Sequence, residues 1–462
     1  LISVLLVPLL AGAMLTFAAA ALANPLPPRD VYAETPRPDQ VSLSWRPGVE
    51  PLPAETPGER YQVLRDGELI AETLELRLED RWLSEGRRYT YTVRAIDSGG
   101  ASAEAPPLEV TTPPFEAGFE LGPYLQQLGP DRAAIVWQTY APATTSLHFG
   151  PTGAPQPVVE RDPSLSRDHV VEVTGLSPAA SYTYRWESDG RLGPPAQFTT
   201  PPASASRFSF GVIGDFGVPT PAARANLTRL KLDPIGFAIT TGDNAQIYGT
   251  EVEYRNYVLG PLLDFVASRP FWPSIGNHDY YGLQNYLRYF ALPKPERYYS
   301  FSYGGVLFLS LDSNRFHARQ RRWLRRELAR SRARCKVAYF HHPLWSSGRG
   351  YRSGVRKRRR QKFVPILERG SVDLVLNGHV QNYERSKPLR GGRRSRRGLV
   401  YVVTGGGGAR LTPFATRRKP RWSARRGAFY HRLRVTASSH RLVGKAVDTQ
   451  GDTRDRFTVR CR

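Results

Sequence analysis

Cysteine is almost absent from this chain: Cys335 and Cys461 are the only two among 462 residues. A cysteine-rich zinc site is thereby excluded, so any metal must be held by oxygen and imidazole. In an exported protein the two could pair and tie down the C-terminus; one buried thiol and one loose one is the alternative. Long apolar runs are also missing after the first segment. Leu1 to Ala23 is nearly all apolar and ends AAAALANP, where Ala21-Leu22-Ala23 fits a signal peptide (1–23) cut before Asn24. No basic residue or Met precedes the apolar run, and a retained anchor is the other reading, since about 20 apolar residues can span a bilayer. Nothing later is apolar enough to insert, so the rest is expected outside the cytoplasm, secreted, periplasmic or at the cell surface, without stable membrane insertion once the leader is cut. Disorder is not the default either, at 40% hydrophobic and 11% aromatic residues.

The length suggests two to four domains. Residues 27–114 read as short alternating strands between Pro, Gly and Asp turns: VSLSW with Trp45, YQVLRDGELI running into an Asp-Gly turn, then YTYTVRAID. Leu83 stands six residues before Tyr89, the spacing of a tyrosine corner, and this segment resembles a fibronectin type III domain. The pattern returns over 118–202, in AAIVWQTY, SLHFG and LSPAASYTYRW, with Leu176 six residues before Tyr182. His148 and His169 there have no partner motif and are given no chemistry. Residues 204–462 change character, with longer strands alternating with helix-like stretches such as Ala318 to Arg334, which puts Trp323, Leu324 and Leu328 on one face.

Within that last part, five apolar β-branched runs each stop at a ligand-type residue. RFSFGVIGD ends at Asp215, GFAITTGDN at Asp243 and Asn244, FWPSIGNHD at Asn277 to Asp279, KVAYFHHP at His341 and His342, and VDLVLNGH at His379. Ligands of α/β sheets gather beyond the carboxyl ends of the strands, so the five ends predict one metal-holding cluster. Read together with the turn GHVQNYER, the set resembles the calcineurin-like metallophosphoesterases, the purple acid phosphatase branch most closely. The sandwich at 118–202, opening GPYLQ, is similar to the domain that precedes the catalytic domain in that branch. The resemblance implies two all-β immunoglobulin-like sandwiches followed by an α/β domain of two packed sheets flanked by helices.

It also implies a pair of metal ions drawn from Fe, Zn, Mn or Mg. A phosphate ester is anionic with a poor leaving group; two adjacent cations clamp its oxygens and make hydroxide available at neutral pH. By the family pattern Asp243 bridges them, and Asn277, His341 and His379 complete the second site. His278 and His342 then remain to contact the phosphate or protonate the leaving oxygen. The first site departs from the family. Where a purple acid phosphatase has a tyrosine and a second histidine, this chain has Gln246 and Gln381, and Tyr248 is displaced by two residues. Asp215, Asp243 and the amide oxygen of Gln381 are left to hold that ion. Either the first ion is labile, which is favoured, or one metal is kept and most turnover is lost.

Negative charge is scarce in the catalytic segment. Asn24 to Ser206 carries 15 basic and 25 acidic residues, a net of −10, while the remainder carries 50 and 16, a net of +34. The densest basic clusters, Arg349 to Arg360 and Arg390 to Arg397, follow the HHP and GHVQNYER motifs and are expected to rim the site. Gly405 to Gly408 reads as a tight turn near it. The substrate implied is a phosphorylated small molecule or a polyanion; nucleic acid is a minor reading because no ordered binding motif accompanies the clusters. The expectation is a secreted acid phosphatase-like hydrolase acting on phosphomonoesters. A phosphodiesterase acting on nucleotides or anionic polymers is the alternative, and a largely inactive surface-binding or adhesion protein is the alternative of another class.

Overall fold

Alternation of apolar and polar residues closes the first segment into two antiparallel sheets. The computed structural model describes residues 25–461 except 35–39, 49–59, 82, 84–85, 98–99, 113–118 and 352. The expected leader and the joint near Pro114 lie outside the described residues. The chain divides into two compact units, Leu1–Glu116 and Ala117–Arg462.

In the first unit, strands Arg29–Ala33, Gln40–Arg46 and Arg77–Arg81 form one sheet, and Glu68–Thr73, Arg60–Arg65, Arg88–Asp97, Gly100–Ala101 and Leu108–Thr111 the other. Period-two side chains such as Tyr89, Tyr91, Val93 and Ala95 face inward onto Val41, Leu43 and Trp45. Leu83 and Tyr89 are both buried. This is the two-sheet sandwich expected of a fibronectin type III-like segment.

The second unit opens with another sandwich. Its longest strand, Arg132–Pro151, pairs with Val158–Thr174, Ser181–Ser188 and Phe119–Gln126, and it bends where the register shifts between Gln138 and Ala143. Ser177 N donates to Tyr182 Oη at 2.8 Å, which closes the second tyrosine corner. His169 is structural: it stacks on Trp137 and both ring nitrogens lie on threonine hydroxyls, of Thr139 and Thr145. Tyr124 Oη donates to Tyr289 O at 2.7 Å, and Arg255 meets the buried Glu120 at 3.3 Å. These contacts fix the sandwich against the rest of the unit.

Two sheets then pack face to face. One runs Phe271–Trp272, Phe237–Thr240, Phe208–Ile213, His431–Ser438, Arg441–Asp448, Thr453–Arg460, its first three strands parallel. The other runs Tyr299–Tyr303, Val306–Ser310, Cys335–Tyr339, Leu374–Asn377, Val400–Thr404, Tyr383–Ser386, Ser423–Gly427, with four consecutive parallel strands inside it. Those central strands are buried on both faces and read as continuous apolar runs, as parallel strands do. One core fills the space between the sheets, and a second lies under the helices Ala318–Arg330 and Ser353–Arg369. Leu324 and Leu328 enter that second core and Trp323 packs at its edge. Cys335 and Cys461 are joined as a disulfide, so the pairing alternative holds and the last strand is stapled to the second sheet. Among the described residues, no helix is long and apolar enough to cross a membrane.

Candidate metal centre

All five ligand-type stretches emerge at the carboxyl ends of parallel strands, three from the first sheet and two from the second. Face-to-face packing brings those ends together. The tight backbone at this point is left-handed at three non-glycine residues, Asp215 (φ 56°), Asp243 (φ 50°) and His379 (φ 67°). Such strain collects at functional sites, where surrounding contacts enforce it. Glycines lie against the carboxylates: a Cβ on Gly276 would sit 2.1 Å from Asp243 Oδ1, and one on Gly378 2.4 Å from Asp215 Oδ2.

The donor atoms of Asp243, His341 and His379 lie within 4.8 Å of one another. His341 Nε2 is 3.1 Å from Asp243 Oδ2, 3.0 Å from Asn277 Oδ1 and 3.1 Å from His379 Nδ1; Asn277 Oδ1 is 2.9 Å from His379 Nδ1. His341 Nδ1 faces Thr241 O at 3.0 Å and donates to it, so in the neutral ring Nε2 carries a lone pair. Lone pairs from a carboxylate, an amide oxygen and two imidazoles thus converge on one point. They repel one another unless a cation stands among them, and the mixed oxygen and nitrogen set suits Zn, Mn or Fe(II). The residues present fit a metal.

Titration behaviour follows from the same crowding. His341 is raised to about 9: the Asp243 and Asp215 carboxylates outweigh burial, which taken alone acts in the opposite direction. Burial raises Asp215 to about 8, whereas Asp243 is lowered, its burial outweighed by His341 and His278. His379 falls to about 3 and His342 well below its usual range, through burial first and then the charge of His341; Arg359 adds to both.

The remaining predicted residues surround this point. Asp215 accepts from His379 N at 3.0 Å, and His278 N donates to Asp243 Oδ1 at 2.9 Å. The His278 ring, 32% exposed, points Nδ1 at Ile247 O and holds Nε2 4.0 Å from Asp243 Oδ2. His342 is buried with its Nδ1 3.0 Å from Ser313 Oγ and its ring centroid 4.5 Å from that of His379. Gln381 differs from expectation. Its Nε2 donates to Asp215 Oδ1 at 3.1 Å and to His379 O at 2.9 Å, while its amide oxygen accepts from Thr412. Two acceptors beside the amide nitrogen fix that orientation, so Gln381 steadies Asp215 and turns its oxygen away. Gln246 carries a buried amide oxygen with no hydrogen-bond partner among the described residues, three residues after Asp243 on a loop held to Gly217 O. Tyr248 is 44% exposed, its backbone held by Glu253. The Gly405 to Gly408 turn does lie at the site, with Gly407 N on Gly214 O and Ala409 N on Asp215 O.

Two positioning groups carried no usable sequence signal. Asp279 accepts from Gly276 N, Asn244 N, Ala245 N, Asn244 Nδ2 and Tyr254 Oη, which ties the Asp243 loop to the Asn277 loop. Its place in GNHD was visible, but nothing in the spacing separated it from a ligand. Tyr351 sets its ring 5.3 Å from that of His379. The Arg390 to Arg397 cluster forms a small hairpin beside a cavity of about 530 Å3, lined also by Trp345, Arg360 and Glu368.

Residues 208–383 match the calcineurin-like phosphoesterase family. Purple acid phosphatase 21 of Arabidopsis thaliana is 29% identical over 292 residues, covering 58% of this chain; the chain spans 65% of that relative's length. Mouse acid phosphatase type 7 is 26% identical over 390 residues, 71% of this chain and 87% of its own. Among solved structures, a purple acid phosphatase from yellow lupin seeds superposes with a TM-score of 0.68 at 17% identity, covering 91% of this chain and 92% of its own, a likeness of fold. Residues 208–383 therefore match a calcineurin-like phosphoesterase domain, and the chain is similar in sequence to the purple acid phosphatases.

Proposed function

We propose that the protein is an exported, metal-dependent phosphatase that hydrolyses phosphomonoesters at a dinuclear centre held by Asp215, Asp243, Asn277, His341 and His379. The observation that carries the reading is the convergence of four lone-pair donors from four separate strand ends within hydrogen-bond distance of His341 Nε2 or His379 Nδ1. Its homology to acid phosphatases supports the reaction class. Export is supported by the Cys335–Cys461 disulfide, which persists in oxidising compartments. The domain assignment that goes with this reading is 27–114, 118–202 and 204–462.

Two cations, when bound, supply the positive charge a phosphate needs and lower the pKa of water towards neutrality. Asp243 would hold a cation through Oδ2, which lies 3.1 Å from His341 Nε2, while Oδ1 accepts from His278 N and fixes the carboxylate's orientation. Thr241 O fixes the His341 tautomer, and Asn277 Oδ1 lies between the two imidazoles, 3.0 Å from His341 Nε2 and 2.9 Å from His379 Nδ1. His278, partly exposed with Nε2 towards Asp243, is placed to hold or deliver a proton to a leaving oxygen. His342, held neutral by burial, is suited to orienting an oxygen rather than protonating it.

The test is metal content and para-nitrophenyl phosphate turnover on one preparation of the mature chain, with His379→Ala as control. Two ions per chain, or turnover restored by added Mn, Mg, Zn or Fe and lost in the variant, supports the proposal. One tightly held ion without turnover of monoester or of the bis-para-nitrophenyl diester under any metal supplement overturns it.

A further inference from the structure

The loop after the HHP motif returns to the candidate metal centre. Tyr351 packs against His379 with ring centroids 5.3 Å apart and planes at 65°. Its hydroxyl donates to Pro343 O at 2.9 Å, inside the His341-His342-Pro343 turn, and accepts from Arg359 Nη1 at 3.0 Å. That hydroxyl is already bonded on both sides, so Tyr351 supplies position. Arg359 comes from the helix Ser353–Arg369 and is half-buried. Two other arginines of this domain that are withdrawn from solvent are neutralised at two nitrogens each: Arg385 by Asp455 and Arg432 by Asp233. Among the described residues Arg359 makes no ion pair, and only one of its five N–H groups has a hydrogen-bond partner.

An unpaired guanidinium anchored through a phenol to the ring of a candidate metal ligand has the charge and the free donors that an anion needs. Its planar fork matches two oxygens of a phosphate, which a lysine's point charge cannot do. We propose that Arg359, positioned by Tyr351, binds non-bridging oxygens of the substrate phosphate and favours a terminal, doubly charged phosphomonoester over a singly charged diester. This deepens the phosphatase reading and rests on it for the substrate, while the anion site itself is measurable without turnover.

The experiment measures inorganic phosphate binding to the metal-loaded chain by calorimetry, together with KM and kcat for para-nitrophenyl phosphate and its bis-para-nitrophenyl diester. Variants are Arg359→Ala, Arg359→Lys and Tyr351→Phe, each checked for metal content and thermal unfolding. A charge-assisted contact predicts phosphate affinity about 10- to 100-fold weaker in Arg359→Ala, partly restored in Arg359→Lys. Tyr351→Phe should fall between, with metal content unchanged in all three. KM for the monoester should rise by a similar factor while the diester shifts less than about threefold. Equal phosphate affinity in wild type and Arg359→Ala, or equal loss on monoester and diester, overturns the proposal. If wild type fails to hydrolyse either ester yet binds phosphate through Arg359, the anion site stands and the phosphatase reading falls. If it hydrolyses the monoester and Arg359→Ala changes nothing, the reverse holds.

Discussion

Removing the Asp279 carboxylate should disable the metal centre without touching a ligand. Five donors end on it: Gly276 N at 2.8 Å, Asn244 N at 3.1 Å, Ala245 N at 3.2 Å, Asn244 Nδ2 at 3.0 Å and Tyr254 Oη at 2.6 Å. Asp279 is fully buried, so water cannot replace all of these bonds. In Asp279→Ala, two or three donors left unsatisfied at about 1–3 kcal/mol each give a loss of roughly 2–9 kcal/mol. For a unit of this size that corresponds to a Tm decrease of about 3–12 °C. The loops that hold Asp243 and Asn277 also lose their common anchor, and a positioning partner of this kind is worth about 10–100-fold in metal affinity. Asp279→Asn keeps the volume but puts an amide N–H₂ among donors, so it should show a smaller loss of the same sign. The assay is calorimetry of the transition belonging to residues 117–462, with and without added Zn or Mn, and a metal titration by competition. An Asp279→Ala protein that melts within 1 °C of wild type and binds metal equally well would refute the reasoning.

Four further outcomes follow from the same geometry. His341→Ala and His379→Ala should each lower metal stoichiometry by at least one ion per chain, measured by elemental analysis after dialysis against a weak chelator. Iron-loaded protein should show no visible tyrosinate-to-iron absorption, because Gln246 replaces the tyrosine and Tyr248 is 44% exposed; a purple band would contradict this. Burial holds His431 at about 4 in the folded chain, below the ordinary value of 6.5. The unfolded chain therefore takes up the proton first, and stability is lost as pH falls from about 6.5 to 4, by up to roughly 3 kcal/mol; His431→Gln should flatten that slope in denaturant titrations. Cys461→Ser, or reduction, should cost about 2–4 kcal/mol, since the disulfide closes a sequence separation of 126; unchanged calorimetric stability after reduction would contradict the expected loss.

The strand ends were legible because a buried parallel strand needs a continuous apolar run and must stop where polar backbone begins. RFSFGVIG, GFAITTG and KVAYF therefore announced both the strands and the places where Asp215, Asp243 and His341 emerge. The two sandwiches were legible for a similar reason, as period-two alternation between turn residues. The charge asymmetry, the departure at Gln246 and Gln381, and the options for the two cysteines could also be read directly from the sequence.

Only the tertiary structure decided which atoms face one another. Spacing could not orient the Gln381 amide, because its direction is set by Asp215 and Thr412, which lie 166 and 31 residues away. Nor could it separate Arg359 from the other arginines of its cluster; that depends on a helix face and on Tyr351 reaching back to His379. Asp279 became distinct from a ligand only when the Asn244 and Tyr254 donors closed around it. The sequence determined what kinds of strand form and which ligand-type residues end them, because those are local consequences of burial and backbone geometry. The packing of the two sheets determined the candidate metal centre, because donor–acceptor geometry over a few ångströms is fixed by residues distant in the chain.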